Sequence, residues 1–142
     1  MFEIGTLTSS IEKQTNGMIT GVIYCRINGI EFPDSKWNDN LVIILSWWLS
    51  AIESLIADSY PSIEEFVFTE GPYRVRFRKI SSQLCEVSGF AQSKEIIKAV
   101  NVSILELEQQ VRNVIKKILH LCNENGWNND DIATLRSHYE AS

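Results

Sequence analysis

Residues 73–79 read Tyr-Arg-Val-Arg-Phe-Arg-Lys, and this stretch decides the fold. Apolar side chains alternate with arginines at every second position, which is the period of a β-strand. One side of the strand is therefore predicted to face the interior, while Arg74, Arg76 and Arg78 face water. A strand that is apolar on one side only is typical of an antiparallel sheet with one solvated face.

Turn-like sequences on both sides of this strand indicate neighbours in the same sheet. Residues 70–72 separate it from a preceding strand predicted at 63–69, and residues 81–83 separate it from a strand at 84–90. A further strand is predicted at 95–102. Short connections of this kind join antiparallel strands.

The first third of the chain also predicts strands, at residues 2–9, 19–27 and 30–32. Asn28 and Gly29 lie between the second and the third of these runs. They supply the two residues of positive φ that a type I′ hairpin requires, so these two strands are predicted to pair.

A helix is predicted over residues 40–57, which are apolar on nearly every side. Asn38 or Asp39 is expected to cap its N-terminus. Trp47 and Trp48 lie about 100° apart around the helix axis, so both are covered only if the helix is almost enclosed. The apolar run is shorter than the about 20 residues that a bilayer requires, so we expect a core helix and no membrane contact.

The last third predicts two more helices. Ser103 and Glu106 form a capping box at the start of a long amphipathic helix, which ends near Gly126. A short helix is expected at about residues 130–139. Together these elements predict one α+β domain over residues 1–142, a mainly antiparallel sheet with helices packed on one face.

Composition narrows the class of function. The net charge is −5, so nucleic acid is not an expected partner. The sequence contains neither of the glycine-rich phosphate-binding motifs, GxGxxG and GxxxxGK(S/T). The two histidines and three widely spaced cysteines match no zinc-binding pattern. We expect no cofactor, no metal and no catalytic residue. The N-terminus lacks the features of a secretory signal and the cysteines suggest free thiols, so a cytoplasmic location is expected.

Three segments carry a family resemblance: Phe32-Pro33 through Trp37, Leu45-Ser46-Trp47-Trp48-Leu49, and Glu70-Gly71-Pro72-Tyr73. They resemble small bacterial immunity proteins, which neutralise toxins of contact-dependent or polymorphic toxin systems. The resemblance spans roughly residues 30–78. It implies a cytoplasmic, non-catalytic protein that binds and blocks a cognate toxin domain, often a nuclease. The negative charge is compatible with this, because an acidic surface speeds and orients association with a basic partner.

Candidate contact residues follow from their positions near predicted turns and on the arginine strand. They comprise acidic residues, exposed aromatic residues and the arginine row: Asp34, Asp39, Glu70, Trp37, Tyr73, Arg74, Arg76 and Arg78.

Three alternatives stay open at this point. The arginines pair across strands with acids such as Glu64 and Glu86, or they recognise an anionic ligand in a pocket between the Trp47/Trp48 helix and the sheet. The second arrangement describes a small-ligand-binding domain or an enzyme. In the third alternative, the exposed part of helix 40–57 forms the interface of a homodimer. The sequence does not fix the oligomeric state.

Overall fold

The computed structural model describes residues 1–141, which contain eight strands and three helices. The strands are β1 (Phe2–Lys13), β2 (Ile19–Ile27), β3 (Ile30–Phe32), β4 (Asn38–Asn40), β5 (Ser62–Val67), β6 (Tyr73–Lys79), β7 (Leu84–Ala91) and β8 (Lys94–Ser103). The helices are α1 (Leu41–Ala57), α2 (Ile104–Glu124) and α3 (Asp130–Ala141). The predicted α+β class is confirmed. The strands form two antiparallel sheets, however, where the sequence predicted one.

The second sheet has the order β5-β6-β7-β8 and contains the arginine strand. Val75 and Phe77 of β6 are completely buried, as the alternation predicts. Their side of the sheet is called the inner face below, and the side that carries the arginines is called the outer face. Arg76 lies opposite Glu65 on one neighbouring strand and opposite Ser88 on the other.

The first sheet is built around β2, which pairs with β1, β3 and β4. The predicted hairpin is confirmed, because Asn28 and Gly29 have φ values of 50° and 84°. β4 was not predicted. It pairs Asn38 with Val22 and Asn40 with Thr20, and its three polar residues carry no alternating pattern that would reveal a strand.

Helix α1 begins one residue later than predicted. Asn38 and Asp39 were expected to cap it, but both lie in β4, and the Asn40 side chain accepts the hydrogen bond from the Ile43 N–H instead. No helix within residues 1–141 combines the length and the apolar character needed to cross a membrane.

Aromatic side chains join α1 and both sheets into one core. Trp48 of α1 stacks on Phe66 of β5, with 4.6 Å between ring centroids. Its indole N–H donates to the Val67 carbonyl at 3.1 Å. Phe2 of β1 meets Phe77 of β6 edge to face at 5.8 Å. The inner face of the second sheet is thus covered by α1 and by the first sheet.

The two C-terminal helices follow the predicted caps. The Ser103 hydroxyl accepts from the Glu106 N–H, which confirms the N-terminus of α2. At the other end, Gly126 has a φ of 66°, and the Trp127 N–H donates to the Cys122 carbonyl at 2.9 Å. This is a Schellman-type C-terminus, for which glycine is the preferred residue.

Candidate partner-binding surfaces

Asp39 is a buried structural acceptor, although it was predicted as a contact residue. The residue is 4% exposed. Its carboxylate accepts the Trp37 indole N–H at 2.8 Å, the Thr69 N–H at 3.1 Å and the Thr69 hydroxyl. It also accepts the Asn40 N–H at 2.7 Å. These bonds tie β4 to the segment that follows β5, so this carboxylate is not presented to a partner.

Trp37 and Tyr73 are half-buried and pack against each other. Their rings meet edge to face at 5.4 Å, and Trp37 also meets Phe68 at 5.9 Å. Gly71 has a φ of 75°, and a Cβ on it would lie 3.1 Å from the Trp37 ring. A glycine therefore suits this turn for both its backbone angle and its lack of a side chain. The two aromatic residues form the partly exposed edge of the core.

Asp34 and Glu70 are exposed, as predicted for acidic loop residues. The Asp34 carboxylate accepts the Lys36 N–H at 2.7 Å and so closes its own turn. Glu70 lies at the turn before β6. Within residues 1–141, neither carboxylate takes part in an ion pair.

Glu70 borders a groove that the sequence did not reveal. Two depressions of about 350 and 400 Å³ share Met18 and Asn40 and so form one continuous surface, called the acidic groove below. Its lining consists mainly of carboxamides and carboxylates and includes no lysine or arginine: Asn16, Gly17, Met18, Thr20, Asn38, Asp39, Asn40, Thr69, Glu70, Asn129, Asp130 and Asp131.

The walls of the acidic groove are fixed by hydrogen bonds. The Asn129 side chain donates to the Gly17 carbonyl at 2.9 Å and accepts the Ile132 N–H at 2.9 Å. One residue thus holds the β1–β2 loop against the start of α3. Asp130 and Asp131 are exposed in the first turn of that helix, where negative charge is favourable. Neither is in an ion pair with another described residue.

The arginine row lies on the outer face of the second sheet. Arg74 and Arg76 both donate through Nε to one oxygen of Glu65, at 2.9 and 3.1 Å. Arg78 donates to Glu86 through Nε at 2.9 Å and through a terminal nitrogen. Two carboxylates, those of Glu65 and Glu86, thus accept the hydrogen bonds of three guanidinium groups.

The predicted pairing partner Glu64 is wrong by one residue. In the register of the second sheet, Glu64 lies opposite Phe77, whereas Glu65 lies opposite Arg76 on the outer face. Adjacent strand residues point to opposite sides, so only Glu65 reaches the arginines. Burial raises the pKa of the Glu64 carboxyl above its usual value, and the charges of Asp58 and Glu65 raise it further.

The arginine row and the tryptophan helix do not line a common pocket. Trp48 is fully buried against Phe66 on the inner face of the second sheet. The arginines are on the outer face. Trp47, its neighbour in α1, is 48% exposed. The Trp48 ring itself fills the space between the helix and the sheet where the ligand pocket was predicted.

The cysteines and histidines lie apart from these surfaces. Cys25, Cys85 and Cys122 are free and buried. Burial raises the pKa of each thiol, that of Cys85 to about 12, so the protonated form prevails near neutral pH. His138 contacts Glu53 of α1 at 2.6 Å. Among residues 1–141, no group of three or more His, Cys, Asp or Glu side chains is arranged to hold a metal ion.

Comparison with known proteins gives no relative from which a function can be carried over. The chain matches no protein-family model, no curated protein sequence and no solved structure.

Proposed function

We propose that this protein is a non-catalytic inhibitor of the immunity type, which binds a cognate toxin domain and blocks it. The acidic groove is the observation that carries the proposal. It extends the resemblance seen at residues 30–78 with a surface of suitable chemistry: exposed carboxylates of Glu70, Asp130 and Asp131 beside carboxamide side chains.

The electrostatics of the groove favour a cationic partner. Its three exposed carboxylates are not neutralised by ion pairs with residues 1–141, and the whole chain has a net charge of −5. Charge of one sign concentrated in a concave surface raises the rate of encounter with the opposite sign. A lysine or arginine of the toxin also finds carboxamide oxygens there as acceptors.

The groove is ready for binding without a large rearrangement. Asn129 fixes two of its walls, and Asp39 holds Thr69, next to Glu70, against β4. A surface that is already ordered loses less conformational entropy when a partner binds. This rigidity suits a protein that inhibits by occupying another protein's surface.

Co-expression with the candidate toxin encoded beside this protein tests the proposal. We expect the wild-type chain to protect cells and to elute with the toxin domain as one complex on a sizing column. If cells are not protected and no complex forms, the proposed function is rejected.

A matched pair of variants tests the groove itself. The triple variant Glu70→Gln, Asp130→Asn, Asp131→Asn removes three negative charges from the groove. The control, Asp58→Asn, Glu124→Gln, Glu140→Gln, removes three exposed charges that lie outside both the groove and the other surfaces described here. We expect the groove variant to bind at least about tenfold more weakly and the control less than about threefold. Equal losses, at unchanged melting temperatures, would reject the groove as the contact surface.

A further inference from the structure

The geometry points to a second binding site, for a carboxylate group, on the outer face of the second sheet. It is built by Arg76, Arg78 and Ser88, with Phe90 as its wall. This site is separate from the acidic groove and has the opposite preference for charge.

Arg74 and Arg76 have more N–H donors than their protein partner uses. Arg74 and Arg76 share a single oxygen of Glu65, each through its Nε–H. An arginine has five N–H donors, and the terminal amino groups of these two find no acceptor among residues 1–141. Arg26 on the first sheet is the opposite case, because one guanidinium lies between two carboxylates, those of Glu3 and Glu31.

The hydroxyl of Ser88 lies in the same depression as the guanidinium groups of Arg76 and Arg78. Ser88 is 7% exposed, and its side chain makes no hydrogen bond with any described residue. It lines a depression of about 210 Å³ together with Arg76, Arg78 and Phe90. Among residues 1–141, Ser62 Oγ is the one fully buried side-chain oxygen or nitrogen without a partner, so the Ser88 hydroxyl still reaches water through the depression. A ligand oxygen bound there would replace that water as its hydrogen-bond partner.

The ring of Phe90 positions the guanidinium groups of Arg74 and Arg76. The central carbon of the Arg76 guanidinium lies 4.2 Å from the centroid of the Phe90 ring, and that of Arg74 lies 5.2 Å from it. Cation–π contact holds the arginines over the ring. Because the Nε–H groups of Arg74 and Arg76 are also bound to Glu65, these two side chains are held in place before any ligand arrives.

Charge selects a carboxylate over a phosphate. Glu86 and Glu95 also line the depression. These carboxylates offset much of the attraction of Arg76 and Arg78. The remaining attraction grows in proportion to the ligand's charge, whereas the cost of removing the ligand from water grows with the square of that charge, so a singly charged carboxylate is favoured over a doubly charged phosphate. A guanidinium group also matches the planar carboxylate in two-point hydrogen bonding. The ligand is therefore a small carboxylic acid or an acidic side chain of a protein.

Nuclear magnetic resonance of the arginine Nε–H groups tests this site in the full chain. Sodium acetate is titrated against sodium chloride at equal ionic strength. We expect saturable shifts, in the millimolar range, for Arg76 and Arg78, and no saturable shift for Arg26. A peptide of three glutamates is compared with one of three glutamines. Tighter binding of the glutamate peptide than of acetate identifies an acidic segment as the ligand, and equal binding identifies an isolated carboxylate.

Two variants and one competitor complete the test. Ser88→Ala is expected to weaken acetate binding by about threefold to tenfold, through loss of one hydrogen bond. Ser93→Ala, at an exposed serine between β7 and β8, is the control and leaves binding unchanged. The site is rejected if Arg26 responds as Arg76 does, or if Ser88→Ala has no effect. Tighter binding of inorganic phosphate than of acetate rejects the choice of carboxylate.

Discussion

Lys79 caps the C-terminus of helix α1, although it lies more than twenty residues further along the chain. It ends β6 with its ammonium group inside the protein, and the residue is 4% exposed. Nζ donates to the carbonyl oxygens of Leu55 at 2.7 Å, Ile56 at 3.1 Å and Asp58 at 2.7 Å. Helix α1 has no basic residue in its own last turn, so Lys79 supplies the positive charge that a helix C-terminus favours.

This contact could not be predicted from the sequence. Lys79 is the last residue of an alternating strand, and a lysine at the end of a strand is normally expected to be exposed to solvent. Its acceptors lie 21 to 24 residues earlier in the chain. Only the packing of α1 on the second sheet brings them together.

Replacing Lys79 by methionine tests this role. The variant Lys79→Met keeps much of the side-chain volume but leaves the carbonyls at the end of α1 without their donor. We expect the free energy of unfolding to fall by about 1–3 kcal/mol, the cost of leaving buried polar groups unsatisfied. Urea denaturation measures it. The exposed Lys98→Met is the control, with a change below about 0.5 kcal/mol. Equal effects of the two changes would contradict the capping role.

At the scale of elements, patterns of period two were the most reliable guide. The alternation over residues 73–79 predicted β6 to the residue, and Asn28-Gly29 predicted the β2–β3 hairpin. Helix α1 was predicted to within one residue at its start. β4 escaped prediction because Asn38–Asn40 is a short polar strand that owes its existence to pairing with β2. Pairing of that kind leaves no local pattern.

The two tryptophans of α1 show the limit of a helical pattern. Trp47 and Trp48 are adjacent in a helix that is apolar nearly all round, so the sequence does not say which one faces the core. In the structure, Trp48 is completely buried and Trp47 is 48% exposed. The choice depends on where the second sheet lies.

Alanine substitutions distinguish these two positions. Trp48→Ala removes the ring stacked on Phe66, and we expect it to reduce the free energy of unfolding by about 3–5 kcal/mol. Trp47→Ala is expected to change it by less than about 1 kcal/mol. Guanidinium denaturation followed by circular dichroism checks both values. Comparable losses at the two positions would contradict the described packing of α1. If the Trp48 variant does not fold, Trp48→Phe gives a smaller loss in the same order.

At the scale of the whole molecule, the sequence predicted the α+β class but not the division into two sheets. Each strand is visible from local alternation, whereas the assignment of strands to sheets depends on contacts such as that between Phe2 and Phe77. Among the predicted contact residues, too, some positions could be judged from the local sequence and others depend on distant contacts. Asp34 and Glu70 are exposed acids. Asp39 is buried by hydrogen bonds to Trp37 and Thr69, and the sequence did not show this because Thr69 lies thirty residues further along the chain.

The acidic groove arises from four separate parts of the chain. It draws on residues 16–20, 38–40, 69–70 and 129–131. Asp130 and Asp131 alone read as solvated charges in the first turn of a helix. Their proximity to the β1–β2 loop, through Asn129, makes them part of a larger negative surface. The overall charge of −5 and the predicted contact residue Glu70 were the signals in the sequence that pointed to it.

The central claim, that this chain acts by offering a negatively charged surface to a cationic partner, is tested most directly by the association rate at varied ionic strength. Stopped-flow mixing with the candidate toxin domain measures it. We predict that the rate falls steeply as salt rises from about 10 mM to 500 mM, because screening shortens the range of attraction. The variant Glu70→Gln, Asp130→Asn, Asp131→Asn is predicted to show a clearly shallower dependence. A rate that is independent of salt, with the same slope for both proteins, would contradict the claim.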